Sequence, residues 1–465
     1  MLSDDVLYST IREQGDALRA RKFSSVELTE SYLARLESLG PKLNAVVTVT
    51  RELALEQARQ ADREIAAGKW RGPLHGIPYG AKDLLSTKGI KTTWGCRAYA
   101  DQVPNEDATV VRLLREAGAV LIAKVAMVEL AGGAGYSFAN ASLTGPGLNP
   151  WNPGYWAGGS SSGSGAGVSA ALMAFSIGSE TWSSIIGPAS LCGITGFRPT
   201  YGLVSRHGAM AVAWTLDKLG PFARSAEDCA LVLEAIAGKD PADPTSVDFR
   251  FQRNPGKPSL KGLRIGFVVE DFPKFGETEV ERAYEKSLHV LEDGGASVRQ
   301  AELPSFPYAD VAMTVVNAEA SAAFEELVQA GHTDQIIDAQ GKVSFYAARL
   351  ISAADYLKCM RIRTQIQAAY RQLFESFDVL VAPGQLIVAP PTAGDLNESF
   401  RGGGDIEAAG NLAGLPAITV PCGFGKHHLP VGLQIVGKAL DDATVLAVGE
   451  AYQSLTDWHR QRPPV

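Results

Sequence analysis

The octapeptide GGSSSGSG at residues 158–165 constrains this chain more than any other stretch. On its own it has the composition of a flexible linker, since alternating Gly and Ser favour a random coil. Yet Trp151, Tyr155 and Trp156 precede it, and the apolar run VSAALMAFSIG follows closely, so its surroundings are those of a core. A P-loop needs G-x-x-x-x-G-K-[ST] with a lysine for the phosphates, whereas here Gly165 is followed by Ala166 and Gly167. What remains is a tight turn that presents a serine, with glycines because a Cβ would block a close approach.

The flanking sequence says what holds that turn. From Gly72 to about Arg224, short apolar segments (AVLIAKV, ALMAFSIG, GITGFRP) alternate with helical stretches such as ATVVRLLREAG, the pattern of an α/β protein around a largely buried sheet. Before it, residues 1–65 read as helices. Ser24 and Glu27 have capping-box spacing ahead of Leu28, Tyr32, Leu33 and Leu36. AVVTVT is a short strand candidate, and RELALEQARQADREIAAG is a polar helix closing at Gly68. Beyond the Pro/Asp loop 239–249, LRIGFVVEDF restarts with a strand, and a helix-rich part runs to about residue 376. FDVLVAP, NLAGLPAITVPCGF and LPVGLQIVG look like closing strands before a C-terminal helix. No repeat or long low-complexity linker divides the chain. One large domain is expected, with an N-terminal helical segment (1–65), a core carrying the chemistry (72–224), a helix-rich part (239–376) and a closing part (377–465).

The formal net charge of −8 argues against nucleic acid or an anionic membrane surface as main partner, because those need a basic field. Cys96, Cys192, Cys229, Cys359 and Cys422 are scattered without C-x-x-C spacing, which suggests neither zinc nor a disulfide framework. The first residues lack the apolar segment of a secretory signal, and no apolar run has the length of a membrane span, so a cytoplasmic location is the expectation. No H-E-x-x-H or comparable cluster points to a metal, and no cofactor is expected. His75 and His207 are candidates for a Ser-His-Asp base, but nothing in the sequence places either beside a nucleophilic serine.

Two further stretches give the glycine-serine turn a chemical partner. HGIPYGAKDLLS (75–86) carries Lys82, and GSETWSSIIGPAS (178–190) ends a strand-like segment in serines. Each alone is ordinary. Together Lys82, Ser160 and Ser184, the two serines 24 residues apart, resemble the amidase signature family of serine hydrolases. The resemblance extends through GIPYGAKD, DATVVRLLREAGAVLIAKVAM, GLNPWNPGYWAGGSSSGSGAG, the 178–210 segment, LDKLGPFARSAEDCA and the closing strands. It implies a single mixed β-sheet core covered on both faces by α-helices. It also implies Ser184 as nucleophile, Ser160 as bridging serine on a cis peptide, and Lys82 as general base. The backbone N–H groups of Thr181, Trp182, Ser183 and Ser184 are the implied oxyanion hole, and water would release the acyl group from Ser184. The chemistry is reasonable, since a serine hydroxyl needs a base and burial lowers an amine from its free value of roughly 10.4.

The resemblance is not complete. Many relatives have Asp-Thr-Gly-Gly-Ser where this chain has Glu180-Thr181-Trp182-Ser183-Ser184, so a positive φ at either replaced glycine would be strained. Ser183 is a rival nucleophile, but the spacing from Ser160 favours Ser184. Where relatives continue with G-K-T-N, this chain has Ala123-Lys124-Val125-Ala126, and Lys124 is read as structural. Gly132, Gly133 and Ala134 are candidates for a small backbone wall, with Tyr136, Trp182 and Trp214 as apolar pocket lining; core packing is the competing reading of the aromatics. No arginine pair within the motif turns offers itself to a substrate carboxylate. The expected substrate is therefore a neutral, partly aromatic small-molecule amide or carbamate (an aryl amide or urethane), handled by a monomer or homodimer. Two alternatives stand beside this: a glutaminase-type amidotransferase component that needs partner chains, and a non-catalytic binding relative. The altered turn leans against the first, and the retained trio against the second.

Overall fold

Alternation along the central strands decides how the chain is layered. In a computed structural model describing residues 1–465 apart from 134, 255, 270–271, 273–275 and 401, Val379 and Val381 join one apolar cluster while Leu380 and Ala382 join another. Ile418 and Ala417 divide in the same way, as do Ile435 and Val436. Successive strand residues point to opposite faces, so a sheet apolar on both sides must be covered on both. The helix Asp442–Leu455 covers the first face through Val445, Leu446 and Val448, and the helix Asp405–Ala413 covers the second through Ile406, Ala409 and Leu412.

The strands are β1 (Val46–Val49), β2 (Pro78–Lys82), β3 (Val120–Val125), β4 (Leu148–Asn149), β5 (Asn152–Trp156), β6 (Phe175–Glu180), β7 (Thr195–Arg198), β8 (Lys218–Ala223), β9 (Arg264–Phe267), β10 (Ser297–Gln300), β11 (Val379–Pro383), β12 (Ala417–Phe424) and β13 (Pro430–Gly437). β4 and β5 form a small separate sheet; the other eleven form one mixed sheet in the order β1-β3-β2-β6-β8-β7-β12-β13-β11-β9-β10. β2 runs parallel to both β3 and β6, whereas β8, β7, β12 and β13 meet their neighbours antiparallel. The interior strands β2, β3, β6, β7, β8, β11 and β13 are buried at every position, and the edge strands β1 and β10 are partly or largely exposed.

The chain thus has the α/β architecture that the alternating segments led us to expect. Ser24 accepts the Glu27 N–H while Glu27 accepts from the Ser24 N–H, closing the capping box that starts the helix Ser25–Leu39. The polar helix is Arg51–Ala66, and Gly68 follows it at φ 76. Two local readings are revised. NLA of the supposed closing strand belongs to the helix Asp405–Ala413, and the strand begins only at Ala417, after the left-handed Gly414 and Pro416. GGSSSGSG is only half a turn, because a buried helix spans Ser162–Ser169. Its glycines permit contact: a Cβ on Gly163 would lie 2.4 Å from both the Ala126 nitrogen and the Ala45 oxygen. Glycine weakens a helix in isolation, so packing sets this conformation. Among the described residues, no helix is long and apolar enough to cross a membrane.

Candidate active site

Parallel neighbours end at the same edge of a sheet, and clefts in α/β folds form beyond the carboxyl ends of such strands. β2 and β6 pair with Ala81 opposite Ile177, so Lys82, the last residue of β2, lies beside the end of β6. Its side chain is completely buried. Nζ donates to Ser160 Oγ at 2.7 Å, Ser161 Oγ at 2.9 Å and Ser179 Oγ at 2.9 Å. Among the described residues no carboxylate forms an ion pair with it. Burial pushes Lys82 down to about 7, against an upward pull from Asp217 and Glu180. Ser160 follows a cis Gly159–Ser160 peptide, and its carbonyl accepts from the Val128 N–H at 3.0 Å. Lys82 and Ser160 are therefore in direct contact.

The turn after β6 is clamped from below. Glu180 Oε2 accepts the N–H groups of Ile185 and Ile186 at 2.8 and 3.0 Å, while Glu180 Oε1 accepts from Arg198 Nη1 at 2.7 Å. Thr181 Oγ1 donates to Asp217 Oδ1 at 2.6 Å, and Asp217 also accepts from the Val212 and Ala213 N–H groups. Among the described residues, the N–H groups of Thr181, Trp182, Ser183 and Ser184 have no hydrogen-bond acceptor. Thr181 and Ser184 are buried and Trp182 and Ser183 half-buried, so these N–H groups, which are normally satisfied when buried, are placed to meet an incoming acceptor. Of the two positions where strain was expected, Ser183 has φ 68 and Trp182 does not enter the left-handed region. Ser184 is 7% exposed, and its hydroxyl makes no hydrogen bond among the described residues. The structure thus joins Lys82 to Ser160 but leaves Ser160 and Ser184 without a mutual hydrogen bond.

The expected pocket residues divide. Gly132, at φ 78, lies under the Tyr136 ring, where a Cβ would come within 2.7 Å of Tyr136 Cε1. The Tyr136 hydroxyl is 2.9 Å from where a Cβ on Gly159 would stand, so Gly132, Tyr136 and Gly159 form one surface beside Ser160. Gly133 packs on the Phe324 ring. Ala134 lies outside the described residues. Trp182 is half-buried against the cluster containing Ile186, Ala213 and Leu216, so packing accounts for much of its surface. Trp214 is 53% exposed and borders a cleft that Ser179 and Thr181 also line. Arg206 stacks 5.1 Å from the Trp214 ring centroid, with its guanidinium bonded to Trp214 O, Tyr201 and Thr245.

The other candidates have different neighbours. Lys124 donates to Leu85 O and Thr92 Oγ1 and lies 3.6 Å from Asp83, a structural set of contacts. His75 faces Glu64 at 3.2 Å, and His207 lies 4.0 Å from Glu106. Sequence reasoning passed over Ser161 and Ser179 and gave Glu180, named only as a departure from relatives, no role, although all three lie inside or beside the motif stretches. It also passed over Gln385 and Glu407, which meet Ser183 from more than 200 residues away. Nothing local marks those two, because only the return of the chain to the sheet brings them to the turn.

Against this geometry, known proteins supply a frame. A family model described as amidase matches residues 27–446. A glutamyl-tRNA(Gln) amidotransferase component from Moorella thermoacetica is 40% identical over 487 residues, covering 99% of each chain. Among solved structures, the peptide amidase of Stenotrophomonas maltophilia matches with a TM-score of 0.86 at 31% identity, over 98% of both chains. A chain from a vestigial protein complex bearing on the origins of an s-triazine catabolic enzyme matches with a TM-score of 0.88 at 29% identity, over 96% of this chain and 98% of that one.

Proposed function

This chain belongs to the amidase signature family of enzymes acting on C–N bonds, and from that membership we propose a serine amidohydrolase that forms an acyl-enzyme on Ser184. The observation that carries the reading is the contact between a fully buried Lys82 amine and Ser160 Oγ at 2.7 Å, with no carboxylate in ion-pair contact among the described residues. An amine brought to about 7 is substantially neutral at physiological pH and can accept a proton. In the proposed step, Ser160 passes its hydroxyl proton to Lys82 and takes one from Ser184, whose Oγ attacks the substrate carbonyl carbon. The carbonyl oxygen, now negative, turns to the free N–H groups between Thr181 and Ser184, fixed donors that need no reorganisation. Collapse breaks the C–N bond, the proton returns through Ser160 to the leaving nitrogen, and water then hydrolyses the ester. The missing Ser160–Ser184 hydrogen bond is expected to form with substrate, as catalytic contacts often tighten only in the complex.

The substrate we propose is a neutral small amide or carbamate with an aromatic portion. Tyr136 and Trp214 offer apolar surface, and the one arginine lining the cleft is committed to protein acceptors. The test is aniline release from a neutral acyl anilide and an aryl carbamate by the chain purified alone. Wild type should turn over at least one of them, and Ser184→Ala should lose about 10³-fold or more in kcat. A well-folded wild type inactive on both would oppose a self-sufficient amidase. A second reading, a glutaminase-type component dependent on partner chains, is favoured by the 40% identity over nearly the whole chain. Ammonia release from glutamine that appears only with partner chains would select it.

A further inference from the structure

Ser183 occupies a left-handed backbone conformation at φ 68, which an L-residue with a Cβ adopts reluctantly and which needs support from its surroundings. That support comes from one face of one helix together with Gln385 beside it. Ser183 Oγ donates to Glu407 Oε1 at 2.5 Å, and Gln385 Nε2 donates to the same carboxylate oxygen at 2.9 Å and to Ser183 Oγ at 3.2 Å. One turn further along the helix, Asn411 Oδ1 accepts from Lys218 Nζ at 2.7 Å, and the same Nζ reaches Thr181 O at 3.3 Å. Asn411 Nδ2 in turn donates to Glu407 O at 2.9 Å. Residues four apart on a helix lie on the same side. The Asp405–Ala413 helix therefore touches the turn at two places, directly at Ser183 and through Lys218 at Thr181, with Trp182 between them.

We infer that this helix is a splint for the turn bearing Ser184, and that Glu407 is a positioning residue acting through Ser183. The inference rests on the proposed role of the turn's N–H groups in holding an oxyanion. Glu407 need touch no substrate. By anchoring the Ser183 hydroxyl it keeps the residue left-handed, and so keeps the neighbouring N–H groups aimed at one point. An anchor of this kind should matter more once charge has developed on the carbonyl oxygen than when substrate first binds. Its removal should appear in kcat before KM.

Glycine at position 183 gives the decisive control, because it enters the left-handed region unaided. Glu407→Leu should lower kcat about tenfold or more with KM within about twofold, since misaimed donors cost transition-state binding. Glu407→Gln, which keeps an acceptor at the same place, should recover most of that loss. In a Ser183→Gly background, Glu407→Leu should cost less than about threefold, because no side chain remains to be anchored. Equal costs in both backgrounds, or an effect on KM alone, would overturn the inference. Should Glu407→Leu not fold, Ser183→Ala against Ser183→Gly decides: alanine slower than glycine supports the splint, and equal rates refute it.

Phosphonylation of Ser184 by a fluorophosphonate, located by mass spectrometry, separates this inference from the reading it rests on. Wild type left unlabelled at Ser184 would sink the amidohydrolase reading itself. Amide hydrogen exchange across 181–187 then decides on the splint alone. Faster exchange in Glu407→Leu than in wild type supports it, and unchanged exchange overturns it.

Discussion

Lys82 and Lys124 lie near the ends of adjacent parallel strands, both completely buried, yet their partners differ in kind. Lys124 has a backbone carbonyl and a threonine hydroxyl, each at 2.6 Å, and the Asp83 carboxylate at 3.6 Å. Lys82 has three serine hydroxyls, a longer reach to Ser179 O at 3.5 Å, and no carboxylate in ion-pair contact among the described residues. Burial lowers both, Lys82 to about 7 and Lys124 to about 8, with Asp83 pulling the latter upward. Burial alone thus does not distinguish a base from a brace. A carboxylate keeps the brace charged, whereas hydroxyls can exchange a proton with the base in either direction.

The largest effect should come from removing the amine that, among the described residues, has no carboxylate in ion-pair contact. Lys82→Met keeps the length of the side chain but removes the proton acceptor, and should cost about 10³-fold in kcat with circular dichroism unchanged. A loss under about tenfold would take Lys82 out of the base role. Lys124→Met should do the reverse, with turnover largely kept and stability lowered by about 3 kcal/mol, because Asp83 is left buried without its cation. Calorimetric melting reads this as a fall in Tm, and adding Asp83→Asn should restore part of it. Were Lys124→Met instead to abolish turnover at unchanged Tm, the two lysines would have to exchange roles.

The pH profile sharpens the contrast. The proposed base must be neutral to act, so kcat/KM should rise with pH through about 7 and flatten above it. Between pH 6 and pH 8 the neutral fraction of such an amine rises roughly tenfold, and the rate should follow. Lys124→Met should leave that midpoint in place. A profile flat from pH 5.5 to 8.5 would mean that no group of this kind limits the reaction.

How much of this was legible in the sequence depended on chain distance. The layers could be read because apolar segments and helical periods alternate locally, and the capping box at Ser24 lies within four residues. Lys82, Ser160 and Ser184 were legible only as a resemblance spread over motifs, since nothing local marks a buried lysine as different from a solvated one. The neighbours that set their chemistry were less accessible. Ser179 faces Lys82 because β2 and β6 run parallel, and Ser161 because it stands at the N-cap of the helix Ser162–Ser169, neither of which the sequence announces. Gln385 and Glu407 reach Ser183 only because the last third of the chain returns to the same sheet. Glycine misled in the other direction. Reading these glycines as a tight turn hid the helix Ser162–Ser169, where close contact with Ala126 and Ala45 outweighs propensity.

The smallest expected effect asks which of the three hydroxyls around Lys82 would carry the proton in the proposed path. Ser161 Oγ accepts from Lys82 Nζ at 2.9 Å, much as Ser160 does, but it also donates to Ser179 O at 3.2 Å, back into the end of β6. A hydroxyl directed at a carbonyl steadies the amine without leading toward Ser184. Ser161→Ala should therefore lower kcat by less than about tenfold, the scale of one hydrogen bond, with KM unchanged. It also removes an acceptor for the protonated amine, so the midpoint near 7 should move down and the loss should be milder at acid pH. Ser160→Ala should cost at least about 10²-fold, because it breaks the proposed path itself. Equal losses in the two alanine variants would mean that the proton can leave by either serine, and that the contact between Lys82 and Ser160 holds no special place among the three.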